Sequence, residues 1–251
     1  MRKFGLIGFP LGHSFSKQFF TDKFKSESIS DCTYENYEID NICLLKERIL
    51  KDREICGLNV TIPYKSEVIK YLDHADNEAV EICAVNVIKI SKKDGRRFLN
   101  GFNTDIFGFR ESLVPQLHGR KINSAIILGT GGSSKAVVYV LKKLDIGIIQ
   151  VSRRPEDGCI LYNELTDKML IENELIINTT PLGMFPRIDD KPDLNYSCLN
   201  QSHILFDLVY NPALTTFLKK GEEQGCKIIG GLSMLLLQAE KSWEIWNDPD
   251  I

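Results

Sequence analysis

The spacing of apolar residues changes repeatedly along the chain. Short runs that alternate or stay apolar throughout, "KFGLIGF", "TYENYEI", "ICGLNVTI" and "AVNVIKI", predict strands. Between them, "SKQFFTDKFKSE" and "NICLLKERILK" place apolar residues at helical intervals, with Asn41 where the latter needs an N-cap. "KSEVIKYL" predicts a further helix, and Asp94-Gly95 in "KKDGRRF" is a hairpin-turn signal between two strand candidates. A second part opens near "GFNTDIFGFRESL", a helix capped by Asn103 or Thr104. Its clearest unit is "SAIILGTGGSSKAVVYVLKKLDIGIIQVSRR": strand, glycine turn, helix, strand and polar tip. "ELIINTTPLGM", "HILFDLVYNP" and "CKIIGG" supply three more strands ending in loops, and "SMLLLQAEKSWEIW" closes as a largely apolar helix. Such alternation predicts an α/β protein built on parallel sheets. No internal repeat, low-complexity tract or long linker interrupts it.

Composition narrows the function classes. A chain of 251 residues has room for one large domain or two ordinary ones, and 43% hydrophobic with 26% charged residues is a soluble globular composition. A net charge of −3 argues against a general affinity for nucleic acid or an anionic membrane. No apolar run approaches the roughly 20 residues of a membrane span. "MRKFGLIGFPLGHS" has too short an apolar core for a signal peptide, is cut by Pro10 and lacks a small-residue cleavage site. It predicts a first strand, Lys3 to Phe9, and a cytoplasmic protein. The seven cysteines are scattered and never spaced CxxC, and the four histidines form no HxxxH pair. Neither a disulfide framework nor a metal site is expected.

Two stretches carry candidate chemistry. "ILGTGGSSKA" follows an apolar strand and opens a helix: Gly129 permits a tight turn, and Gly131 lets backbone approach a pyrophosphate at the helix N-terminus. Ser134 stands in the third fingerprint position, where glycine or alanine is usual. The next strand ends in Ser152, Arg153 and Arg154 rather than in an acid, which suits the 2′-phosphate of NADP better than the free ribose hydroxyls of NAD. The other stretch is "GLNVTIPYKSE", an apolar strand that carries Asn59 and Thr61, breaks at Pro63 and delivers Lys65. Buried polar groups cost free energy unless paired. Lys65 alone would read as a solvated lysine at a helix start.

In order, and over nearly the whole length, "GHSFS", "NVTIPYK", "AVNVI", "GFNTD", "GTGGSSKA", "NTTPLGM" and "GGLSMLLLQA" resemble the motifs of the shikimate dehydrogenase family. The resemblance implies reversible NADPH-dependent reduction of 3-dehydroshikimate to shikimate, on the route to chorismate and the aromatic amino acids. It implies two α/β domains facing each other across a cleft. Residues 1–103 plus 231–251 would form the substrate-binding and catalytic domain, with the last helix packed back onto it, and residues 104–230 a Rossmann-type NADP-binding domain. Lys65 and Asp105 match the catalytic pair. Ser14, Ser16, Asn59, Thr61, Asn86, Tyr210 and Gln238 match substrate contacts. Gly129, Thr130, Gly131, Gly132 and Ser133 match the phosphate turn, Ser152, Arg153 and Arg154 the 2′-phosphate grip, and Leu208 and Gly231 the nicotinamide contacts. The implied partner is a small-molecule substrate, bound by a monomer or homodimer. This chain departs from the family pattern at Lys17 (commonly proline), Cys83 (glycine), Val87 (threonine), Ser152 (asparagine) and Leu208 (methionine). Three other readings stand beside it: a quinate/shikimate dehydrogenase with relaxed cofactor use, a Schiff-base enzyme using Lys65 as nucleophile, and a non-catalytic NADP sensor.

Overall fold

The computed structural model describes residues 1–12 and 15–250, which divide into two compact units: 1–104 with 239–251, and 105–238. In the first unit, β1 (Arg2–Gly8), α1 (Phe15–Ser26), β2 (Cys32–Glu38), β3 (Ile55–Val60), β4 (His74–Ala75), α2 (Asn77–Glu81), β5 (Val87–Lys93) and β6 (Arg96–Phe102) follow one another. The six strands form one sheet in the order β2-β1-β3-β5-β6-β4. This sheet is mixed, not parallel: β3–β5 and β5–β6 pair antiparallel. The hairpin turn at Asp94-Gly95 accounts for the β5–β6 pairing, both residues taking positive φ (50° and 74°) between Lys93 and its partner Arg96.

Alternation along the strands supplies two cores. Phe4 and Leu6 face Phe20, Phe24 and Tyr34, while Ile7, Leu58, Val60 and Ile88 pack with Leu45, Ile49 and Tyr64. Two predicted helices are reduced to short turns. "NICLLKERILK" winds only over Leu45–Ile49, and the Asn41 side chain accepts from the Cys43 N–H (2.9 Å) in a local turn ahead of it. "KSEVIKYL" gives a 3-10 turn, Glu67–Tyr71, because the Lys65 carbonyl is taken by the Val85 N–H (2.7 Å) and not by a helical ladder.

The second unit begins within α3 (Thr104–Leu117) and runs through β7 (Ser124–Leu128), α4 (Gly132–Lys143), β8 (Gly147–Ser152), β9 (Cys159–Leu161), α5 (Asp167–Glu172), β10 (Leu175–Asn178), β11 (Ile204–Asp207), α6 (Thr216–Glu223) and β12 (Lys227–Ile229). Its sheet is parallel throughout, in the order β12-β11-β10-β7-β8-β9. The central strands β7, β10 and β11 are nearly uniformly buried, as strands covered on both faces require. Strand order reverses between β7 and β10, so the loops leaving their carboxyl ends part and open a crevice. The last helix, α7 (Leu232–Asn247), starts in this unit; its later residues belong to the first, where Trp243 and Trp246 join the aromatic core around Phe4. No helix among the described residues is long and apolar enough to cross a membrane.

Candidate functional site

In the first unit, the polar residues gather where β3 ends. Thr61 leaves the strand half-buried, its N–H bonded to the Ile7 carbonyl at 2.9 Å. Lys65 follows one turn later, half-buried, with its backbone pinned next to Asn86 by the bond from Val85. Asn59 is placed differently from a surface contact. It is buried, its Oδ1 accepts from the Tyr34 hydroxyl (2.8 Å), and its Nδ2 donates to Ser242 Oγ (3.0 Å). Asn86 is buried too, and its Oδ1 accepts from the Thr104 N–H at 2.7 Å. The start of α3 is thus held by a residue eighteen positions upstream, while Asn103 sends its amide N–H to the Ala84 carbonyl. Ser16 is half-buried on α1 and meets the Tyr34 phenol. Ser14 lies outside the described residues.

Asp105, buried, stands in the first turn of α3, where the helix dipole favours an acid. Gly108, one turn on, has no room for a side chain: a Cβ would lie 2.7 Å from the Met234 carbonyl and 3.1 Å from Gln238. That close approach places Gln238, whose Nε2 donates to Leu235 O at 3.0 Å, against α3. Tyr210 is half-buried, and burial raises its phenol above the ordinary value.

Among the described residues of the second unit, the glycine turn lies at the reversal of strand order. Gly129 has φ +110°, and a Cβ there would stand 2.8 Å from Thr179 Oγ1, so both dihedral and space require glycine. The Gln150 side chain ties the turn by donating to the Gly129 carbonyl (2.9 Å). Gly131 is the N-cap of α4, and a Cβ there would meet no protein atom within 4 Å. Protein packing therefore does not account for that glycine, and the backbone of Gly131–Ser133 is left open at the start of α4. Beyond β8, Ser152 is buried and accepts from the Arg154 N–H at 3.2 Å, shaping the turn, while Arg153 and Arg154 are exposed. The backbone of Leu208 lies against Gly231, where a Cβ would overlap the Leu208 carbonyl. No group of three His, Cys, Asp or Glu side chains among the described residues converges as a metal site would.

Residues 6–88 match the family model of the shikimate dehydrogenase substrate binding domain. A shikimate dehydrogenase (NADP(+)) of Clostridium beijerinckii is 40% identical over 99% of this chain and 93% of its own. The chain belongs to the shikimate dehydrogenase family. Among solved structures, a shikimate dehydrogenase in complex with NADP+ superposes with a TM-score of 0.87 at 34% identity, covering 98% of this chain and 90% of that one. The shikimate 5-dehydrogenase of Thermus thermophilus, in complex with NADP(H) and shikimate, reaches 0.83 at 29% identity, covering 100% and 96%. The fold is that of the family, with an N-terminal substrate domain and a Rossmann-type domain.

Departures from the shikimate dehydrogenase pattern acquire physical reasons here. Cys83, where glycine is usual, has φ +49°, a left-handed conformation that glycine adopts without strain. Lys17, in place of proline, pairs with Glu35 at 2.6 Å. Ser134 is compatible with the fingerprint because its hydroxyl donates to the Gly131 carbonyl (2.6 Å), leaving no unpaired polar group in the tight helix–strand contact.

A polar knot outside the site residues expected from sequence lies at the ends of β10 and β11. Asn178 and Asp207, paired in register, are both fully buried. Asn178 Nδ2 donates to Asp207 Oδ1 (3.0 Å), its Oδ1 accepts from Thr180, and Asp207 further accepts from Val209 N–H and from Thr215 Oγ1 (2.6 Å). A polar residue terminating each of the apolar runs "LIIN" and "ILFD" was the available signal. Burial is the main cause that pushes the Asp207 carboxyl from the ordinary 3.8 up to about 6, against the pull of the three donors. A raised folded-state pKa stabilises while both states are protonated, and that contribution is lost as pH rises from about 4 through about 6. The loss amounts to about 3 kcal/mol. Asp207→Asn keeps one of the two acceptor oxygens and does not ionise. Urea midpoints should therefore show the wild type losing stability relative to Asp207→Asn between acidic and neutral pH; parallel pH profiles would refute the assignment.

Proposed function

We propose that the chain catalyses the reversible NADPH-dependent reduction of 3-dehydroshikimate to shikimate. The observation that carries the reading is its likeness, over 99% of its length, to a relative named for that activity and cofactor. The Gly129 turn at the switch point supports cofactor binding: Gly129, Thr130, Gly131, Gly132 and Ser133 would hold the pyrophosphate by backbone N–H groups at the start of α4. Arg153 and Arg154 would hold the 2′-phosphate, with Ser152 shaping their turn, and Leu208 and Gly231 would border the nicotinamide. NADPH, when bound, supplies the hydride.

Ser14, Ser16, Asn59, Thr61, Asn86, Tyr210 and Gln238 are assigned to the substrate carboxylate and hydroxyls. Lys65 is assigned the proton: its ammonium stabilises charge growing on the ketone oxygen and protonates it, and in reverse its amine takes the hydroxyl proton. Asp105 is the accompanying carboxylate. The enzyme works in the cytoplasm as a monomer or homodimer. The test is NADP+ reduction followed with shikimate and, separately, with quinate. Turnover with shikimate and little with quinate is the expected result. Quinate as the better substrate would overturn the assignment, and a borohydride-trapped adduct on Lys65 would replace it with Schiff-base chemistry.

A further inference from the structure

Within the first unit, buried hydroxyls and amides form one connected chain from α1 to α3. Ser16 meets the Tyr34 phenol. Tyr34 donates to Asn59 Oδ1 (2.8 Å), and Asn59 Nδ2 donates to Ser242 Oγ (3.0 Å). Ser242 Oγ lies 3.3 Å from Thr104 Oγ1, and Asn86 Nδ2 donates to that same Thr104 oxygen (3.1 Å). Tyr34 donates to Asn59 and Asn59 to Ser242; between Ser242 and Thr104 either hydroxyl can donate, and Thr104 Oγ1 lies 3.3 Å from Asn86 Oδ1, to which it can donate. Tyr34 is 3% exposed and Ser242 0%. Neither faces solvent, and apolar residues of like shape would fill their places without the cost of burying a hydroxyl.

The residues this chain orients are Ser16, Asn86 and the β3 end that leads into Thr61. We infer that Tyr34 and Ser242 are positioning residues for the substrate site: they fix the Asn59 amide, and through it the strand end and Asn86, in the geometry that binds shikimate. This rests on the activity proposed above. Asn59 is then the hub of the chain.

The test compares Tyr34→Phe, Ser242→Ala, the double variant and Trp246→Phe. The last removes a different buried bond of the same core, Trp246 Nε1–H to the Ile88 carbonyl (3.1 Å). For each, KM for shikimate, KM for NADP+, kcat and the thermal midpoint are measured. The two network variants should each raise KM for shikimate about tenfold, the effect of one unmet buried hydrogen bond. Their kcat and KM for NADP+ should hold within about twofold, and the double variant should fall well short of the product of the singles, because the two act on one amide. Trp246→Phe should lower the midpoint and leave KM for shikimate unchanged. An unchanged shikimate KM in both Tyr34→Phe and Ser242→Ala overturns the inference, as does a KM that rises in Trp246→Phe in step with its loss of stability. A wild type that does not oxidise shikimate overturns the proposed activity and this inference together; an active wild type with unmoved variants overturns this inference alone.

Discussion

Replacing Lys65 with alanine is expected to lower kcat for shikimate oxidation by about 10²–10⁴-fold, the usual contribution of a positioned general acid or base. KM for shikimate should change little, because the ammonium acts on charge that develops only in the transition state. The backbone geometry supports a fixed role: the Lys65 carbonyl is held by the Val85 N–H at 2.7 Å, and Thr61 by Ile7 at 2.9 Å, so the segment is anchored at both ends. The side chain is half-buried, not carried free on a helix surface. Lys65→Arg keeps the charge but donates from a planar group that cannot serve as a base, and it should recover little of the lost kcat. A Lys65→Ala enzyme that retains near wild-type kcat at saturating shikimate would remove Lys65 from the mechanism.

NADP should be preferred over NAD by about 10- to 100-fold in kcat/KM, and the Arg153→Ala, Arg154→Ala double variant should lose most of that preference. A charge-assisted contact contributes about 1.5–3 kcal/mol, and about 1.4 kcal/mol is a tenfold change. Both guanidinium groups are exposed, so their contributions are screened and the preference should shrink as salt rises. Arg153 also stands near the half-buried Tyr162, whose phenol burial pushes up to about 12 while the arginine charge opposes that rise. Arg154 is the residue whose N–H the Ser152 hydroxyl accepts. The measurement is kcat/KM for each cofactor in wild type, both single variants and the double. NAD efficiency should remain within a few-fold throughout. Equal use of both cofactors by the wild type would refute the preference and favour the quinate/shikimate alternative.

Local chemistry made one half of this protein legible in its sequence. The β7–turn–α4–β8 unit was readable because an apolar strand, a glycine that must take φ +110° and an amphipathic helix are neighbours in the chain. The Asp94-Gly95 hairpin was readable for the same reason, and seven motifs in order pointed to the family. Other features depended on partners far away in sequence. The mixed first sheet follows from β5 returning antiparallel to β3, which no periodicity announces. Lys65 leaves its predicted helix because Val85 claims its carbonyl. Asn59, a polar residue in an apolar strand, has to be paired when buried; its protein partners are Tyr34 and Ser242, 25 and 183 positions away. Asn178 and Asp207 likewise satisfy each other across adjacent strands. A sequence states which groups must be paired when buried, since that cost belongs to the residue itself. Which group pairs with which is decided only when packing brings distant segments together.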